Sequence, residues 1–116
     1  MSKSKNEILD LSFEFALKII EYTELLEKKK KYLIAKELLK SGTSVGANIR
    51  EAQNAHSRKD FIAKCVIAAK EAEETEYWLL LCQKSSSYPD PGKLMEQILS
   101  IKKLLSKIIS TSIKKK

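Results

Sequence analysis

The chain has 116 residues, 43% of them apolar and 32% charged, a composition that builds one globular core and excludes a disordered chain. Basic residues outnumber acidic ones 22 to 15, so the net charge is +7, a bias toward anionic partners. No apolar run approaches the roughly 20 residues a membrane span needs, and the polar, charged N-terminus does not read as a signal peptide.

Three glycines and two prolines over this length favour long helices, and no alternating strand pattern competes with them. Ser4-Lys5-Asn6-Glu7 reads as a capping box. It predicts a first helix over about residues 6–27. Ile8, Leu11, Phe15, Ile19, Tyr22 and Leu26 form its core stripe at spacings of three and four. Leu9, Phe13, Ala16, Leu17 and Ile20 form a second stripe beside it. A monomer's surface helix needs only one, so the second stripe points to a further neighbour, such as another subunit. The link that follows carries four consecutive lysines, Lys28 to Lys31, and no glycine or proline to mark the turn.

The second helix is predicted over residues 32–55. The stretch SGTSVGANIREA, residues 41–52, carries Gly42 and Gly46 four residues apart. Glycine within a helix costs roughly 1 kcal/mol relative to alanine. Leu38, Val45, Ile49 and Ala52 keep the apolar register across this stretch, which favours one continuous helix over a break at Gly42. Close approach of a neighbouring helix would offset the glycine penalty.

Ser57-Arg58-Lys59-Asp60 reads as a second capping box and starts a helix predicted over residues 58–83. Its seam is Phe61, Cys65, Ala68, Ala72, Thr75, Leu79 and Cys82. Small residues at Ala68 and Ala72, with Ala63 and Ala69 beside them, suggest close packing against Gly42 and Gly46. Tyr77 and Trp78, set among Leu79, Leu80 and Leu81, read as core or interface. Cys65 and Cys82 lie 17 positions apart on this one helix, roughly 25 Å. That is beyond disulfide reach, so they read as buried thiols of a reducing cytoplasm.

Residues 84–92 are a loop rich in serine and proline. Asp90-Pro91 reads as an N-cap followed by proline at the first helical position. The fourth helix is predicted over residues 91–113, with Leu94, Ile98, Ile101, Leu105 and Ile108 as its seam. Lys114 to Lys116 read as a solvated end. Four helices with short links predict an all-α chain, an antiparallel up-down-up-down four-helix bundle in a single domain spanning residues 1–116.

Catalytic motifs are scarce. The one histidine, His56, lies at a helix boundary, and the residue three before it is Gln53, so the Glu-x-x-His pattern of di-metal bundles is missing. Glu71, Glu73, Glu74 and Glu76 are a charge run of the kind that forms solvated faces or salt bridges. There is no phosphate-cradling glycine loop followed by lysine. Cys65 sits on the apolar seam, where a thiol is inert. These observations predict no enzyme, no cofactor and no metal. They leave an interaction surface: Arg50, Arg58, Lys59 and Lys64 cluster about the end of the second helix and the start of the third. Such cations contact phosphates without reading bases.

Residues 32–52, YLIAKELLKSGTSVGANIREA, together with Ser57-Arg58-Lys59-Asp60-Phe61 and residues 72–79, AEETEYWL, resemble the signature of the bacterial four-helix-bundle proteins encoded in 23S ribosomal RNA intervening sequences. The resemblance implies a bundle assembled as a ring-like homopentamer. It also links the chain to the accessory proteins of diversity-generating retroelements, basic pentamers that bind nucleic acid and a reverse transcriptase. The expectation is therefore a cytoplasmic, non-enzymatic homo-oligomer that binds RNA or DNA through a basic surface. The alternative is a protein-interaction scaffold with no nucleic-acid role.

Overall fold

The computed structural model describes residues 3–115, and the side chains of residues 7–115. The capping box at Ser4 lies outside the described side chains. Four helices make up the fold: α1 (Lys3–Lys28), α2 (Tyr32–Ala52), α3 (Arg58–Lys84) and α4 (Leu94–Lys114). No strand occurs among the described residues. Each helix packs on the next and α4 closes onto α1, while across the diagonals the backbones of α1 and α3, and of α2 and α4, stay apart. With links this short, that arrangement is the predicted up-down-up-down bundle. The molecule measures 50 × 20 × 19 Å, in keeping with helices of 26 and 27 residues at 1.5 Å per residue.

Every predicted seam residue of α3 and α4 is buried. Helix α1 departs from the expected stripe, and Thr23 is buried beside Tyr22. Ser12 is buried where Leu11 was expected, and Leu11 is 38% exposed. The reason is the depth to which α2 presses in. A Cβ added to Gly46 would lie 3.3 Å from the Ser12 backbone carbonyl oxygen. A leucine in place of Ser12 would hold the helices apart. Ser12 satisfies its own hydroxyl by donating to the Leu9 carbonyl, 3.2 Å away.

The same geometry corrects the partner expected for the small-residue stretch. Helix α2 is continuous through Gly42 and Gly46, but both glycines approach α1 and not α3. A Cβ on Gly42 would meet three carbons of Ile19 at 3.0 to 3.3 Å. Ser41, one position and about 100° round the helix, faces α3 instead. Its Oγ lies 2.9 Å from Thr75 Oγ1, which donates to the Glu71 carbonyl. Ala68 and Ala72 are completely buried on the α3 seam.

Helix ends differ from expectation where backbone geometry outweighs pattern. Helix α1 closes with Lys30 at φ 64°. Lys30 N–H donates to the Glu27 carbonyl and Lys31 N–H to the Leu26 carbonyl, at 2.9 and 2.8 Å. This is the Schellman arrangement that glycine usually supplies. Helix α2 stops at Ala52, three residues early, because Gln53, Asn54 and Ala55 each donate to the carbonyl three residues back and tighten the last turn. Ser57 caps α3 as expected, accepting from Asp60 N–H at 3.0 Å. Helix α4 begins at Leu94, not at Pro91, and Asp90 does not cap it. Gly92 adopts φ 62°, a left-handed conformation that cannot lie within a right-handed helix.

The loop before α4 is fastened at its tip. Tyr22 of α1 donates its hydroxyl to the Pro89 carbonyl at 2.6 Å, and Lys31 Nζ sits 5.0 Å from the Tyr88 ring centre. Burial raises the pKa of the Tyr22 hydroxyl and of the neighbouring Cys82 thiol. Cys65 and Cys82 are both buried and not disulfide-bonded.

Candidate nucleic-acid interface

Antiparallel topology brings the C-termini of α2 and α4 and the N-terminus of α3 to one end of the bundle. Arg58 and Lys59 occupy the first turn of α3 and are exposed there. Arg58 Nη1 donates to the backbone carbonyl of Lys115. That contact ties the backbone at Lys115 to the first turn of α3, while Lys114 and Lys115 stay exposed, as expected of a solvated end. An open cavity of about 330 Å³ lies beneath, with Gln53, Ser57, Arg58, Phe61, Ser112 and Lys115 in its lining.

The other two cluster residues are placed differently. Lys64 Nζ forms an ion pair with Glu51 Oε1 at 3.1 Å, joining the second turn of α3 to the last turn of α2. Arg50 is exposed and lines a separate shallow groove between α1 and α2, beside Phe13 and Gly46. The structure therefore joins Arg58 to the Lys115 backbone, leaves Lys59 exposed on the same turn of α3, ties Lys64 to an acid, and sets Arg50 on the α1 side. Sequence reasoning missed Lys115 because its proximity to Arg58 follows only from the fold: the up-down-up-down order returns the end of α4 to the start of α3.

The acidic run lies well away from this end. Glu73 is 15 residues from Arg58 along α3, roughly 22 Å. Lys102 of α4 bridges Glu73, at 2.9 Å, and Glu76. Those partners, Glu76 first and then Glu73, raise the Lys102 pKa. Glu74 accepts from the Trp78 indole N–H at 3.3 Å. The acids thus serve the α3–α4 contact and the surface beside Trp78.

The family model described as 23S rRNA-intervening sequence protein matches residues 4–108. The chain belongs to this family. A crystal structure of a protein of unknown function from the S23 ribosomal protein family of Bacteroides thetaiotaomicron superposes on it with a TM-score of 0.83 and 44% sequence identity. The match covers 88% of this chain and 97% of that one. No curated protein matches. In this 23S rRNA-intervening sequence protein, no helix is long and apolar enough to cross a membrane. Among the described residues no three His, Cys, Asp or Glu side chains gather as metal ligands. Two surface features match the sequence reading: the basic end of the bundle, and an apolar stripe on α1. On that stripe Phe13 is 52%, Leu17 43% and Ile20 39% exposed.

Proposed function

We propose that this protein is a non-enzymatic homo-oligomer that binds RNA or DNA through phosphate contacts at the basic end of its bundle, without base-specific readout. The observation that carries the reading is the meeting of Arg58 and Lys115, from two helix termini, at one open cavity, with Lys59 exposed next to Arg58 in the first turn of α3. Exposed cations at fixed spacing engage phosphates and release counterions. No exposed aromatic lines this cavity, since Phe61 is buried, so the surface offers no stacking platform of the kind that single-strand readers use.

The apolar stripe supports assembly. Phe13, Leu17 and Ile20 recur at four and three, the spacing of a helix–helix seam, and each is left 39 to 52% exposed in the single chain. A ring-like homopentamer, the assembly implied by the family resemblance, would bury the stripe and repeat the basic end five times on a common axis. In this reading the protein is cytoplasmic, and the link to the accessory proteins of diversity-generating retroelements makes a reverse transcriptase a candidate partner. The same stripe also suits the second reading, a scaffold for a different protein.

Gel-shift titration with ribosomal RNA fragments at two salt concentrations tests the binding. Log K should fall by roughly 0.7 to 0.9 for each phosphate contacted as log salt rises. Absence of binding at low salt removes the nucleic-acid reading. A partner retained in pull-downs after nuclease treatment supports the scaffold. For assembly, light scattering should give a mass well above 13.2 kDa, and Leu17→Lys should reduce it toward the single-chain value. A wild-type monomer would contradict the homo-oligomer.

A further inference from the structure

We infer that the cavity at the basic end is a seat for one nucleic-acid phosphate, occupied in the free protein by the Lys115 carbonyl, which the phosphate displaces from the Arg58 guanidinium. The inference rests on the nucleic-acid reading above and assigns that surface a specific anchoring point.

Arg58 already holds an oxygen at this end of the bundle. Its guanidinium donates into the cavity to a backbone carbonyl at the frayed end of α4. That carbonyl oxygen marks where an acceptor is satisfied, and it stands in for a phosphate oxygen. A guanidinium binds a charged phosphate more strongly than a neutral carbonyl, commonly with two parallel N–H donors. Exchange of the carbonyl for a phosphate is therefore favourable at Arg58. It disturbs little, because Lys115 lies beyond the last residue of α4 and its carbonyl belongs to no helix ladder.

The rest of the lining fits the same ligand. Ser57, Ser112 and Lys115 also line the cavity. Gln53 is not a free donor, since its amide N–H already serves the Ile49 carbonyl at 3.1 Å. Among the described residues no carboxylate lines the cavity. Glu51 on the adjacent turn is held by Lys64, which offsets its repulsion of an incoming anion. The α3 N-terminus adds positive potential in the same direction. Phe61, buried on the seam, forms the floor. At about 330 Å³ the space exceeds a phosphate and admits the attached sugar.

The test compares single-charge losses at opposite ends. Anisotropy of a short labelled oligouridine is titrated over a series of salt concentrations with wild type, Arg58→Gln and Lys36→Gln. Lys36 is exposed in the first turns of α2, at the far end of the bundle. Arg58→Gln should weaken binding several-fold and make the log K against log salt slope shallower by about 0.7, one phosphate contact on a single strand. Lys36→Gln should leave the slope unchanged. Equal effects of the two substitutions would overturn the seat while wild-type binding left the broader reading standing, and no wild-type binding would remove both. In wild-type protein, NMR should show the Arg58 side-chain N–H and the Lys114 and Lys115 backbone signals shifting together as the RNA is added. Lys115 signals that stay in place while RNA is bound would overturn the displacement.

Discussion

The α1–α2 and α3–α4 sides of this bundle solve the same packing problem by different means. Between α1 and α2 the fit is one of shape. Gly42 and Gly46 remove side chains where Ile19 and the Ser12 backbone press in, and the outer face of α1 is left apolar at Phe13, Leu17 and Ile20. Between α3 and α4 the surface edge is laced by charge, with Lys102 bridging Glu73 and Glu76. Even the links differ. Both reverse the chain through a residue in the left-handed region, but α3–α4 uses Gly92 and α1–α2 uses Lys30. The contrast teaches that, in the proposed homo-oligomer, the shape-locked side would be the one to meet copies, because an apolar face needs a rigid backing to match a partner. The charge-laced side adds ion pairs at its edge, although Ile67, Tyr77 and Leu99 are exposed there too.

The most damaging way to break this contrast is to fill the α1–α2 contact. Gly42→Leu places a side chain against Ile19, which is fully buried and has no room to retreat. Overpacking of this kind typically costs 1–3 kcal/mol and sometimes more. We expect about 3 kcal/mol in denaturant unfolding and a lower assembly mass from the same variant. An unchanged midpoint would mean that α1 and α2 are not pressed together at Ile19.

Much of this was readable in advance, and the exceptions share a cause. The α3 seam from Phe61 to Cys82 could be read residue by residue because helical periodicity depends only on spacing. The close contact at Gly42 was readable as a contact, but its partner was not. Spacing places a glycine on a face and cannot say which neighbour that face meets. Ser12 in the core escaped for the same reason, since a small polar residue is buried there only because α2 comes so near. At the candidate site, Arg58 and Lys59 stood out as adjacent cations. Arg50 faces another groove, and Lys115 joins Arg58 only through the order of the helices.

The links offer a reciprocal pair of smaller effects. A side chain in the left-handed region costs roughly 1–2 kcal/mol, partly offset because glycine loses more entropy on folding. Nothing lies within 4 Å of a Cβ on Gly92, so Gly92→Ala reports conformation alone and should destabilise by about 1 kcal/mol. Lys30→Gly should stabilise by about 0.5 kcal/mol. Thermal melts that moved in the same direction for both would show that the two links are not equivalent reversals.

On the charge-laced side, Lys102→Met removes the cation shared by Glu73 and Glu76. Partly exposed pairs contribute little, so the loss should be about 0.5 kcal/mol and should shrink as salt rises. The pKa of Lys102 is raised in the fold. The stabilisation is therefore complete below the ordinary lysine value of 10.5 and disappears as pH climbs past the raised one. A stability difference between wild type and variant that persisted beyond that window would assign the effect to the packing of the lysine stem.

The smallest effect distinguishes the two glycines from each other. At Gly46 an added Cβ would sit 3.3 Å from the Ser12 carbonyl oxygen and 3.5 Å from its Oγ, closer than is comfortable but short of a collision. Against that stands the helix propensity alanine restores, roughly 1 kcal/mol. The terms oppose each other and are similar in size, so Gly46→Ala should change stability by less than about 0.5 kcal/mol. Gly42→Ala has the same propensity gain but meets Ile19 carbons at 3.0 Å, and should be the less stable of the pair. If denaturant midpoints ranked them the other way, Ile19 would be yielding more readily than the Ser12 backbone, and the tightest point of the α1–α2 contact would lie at Gly46.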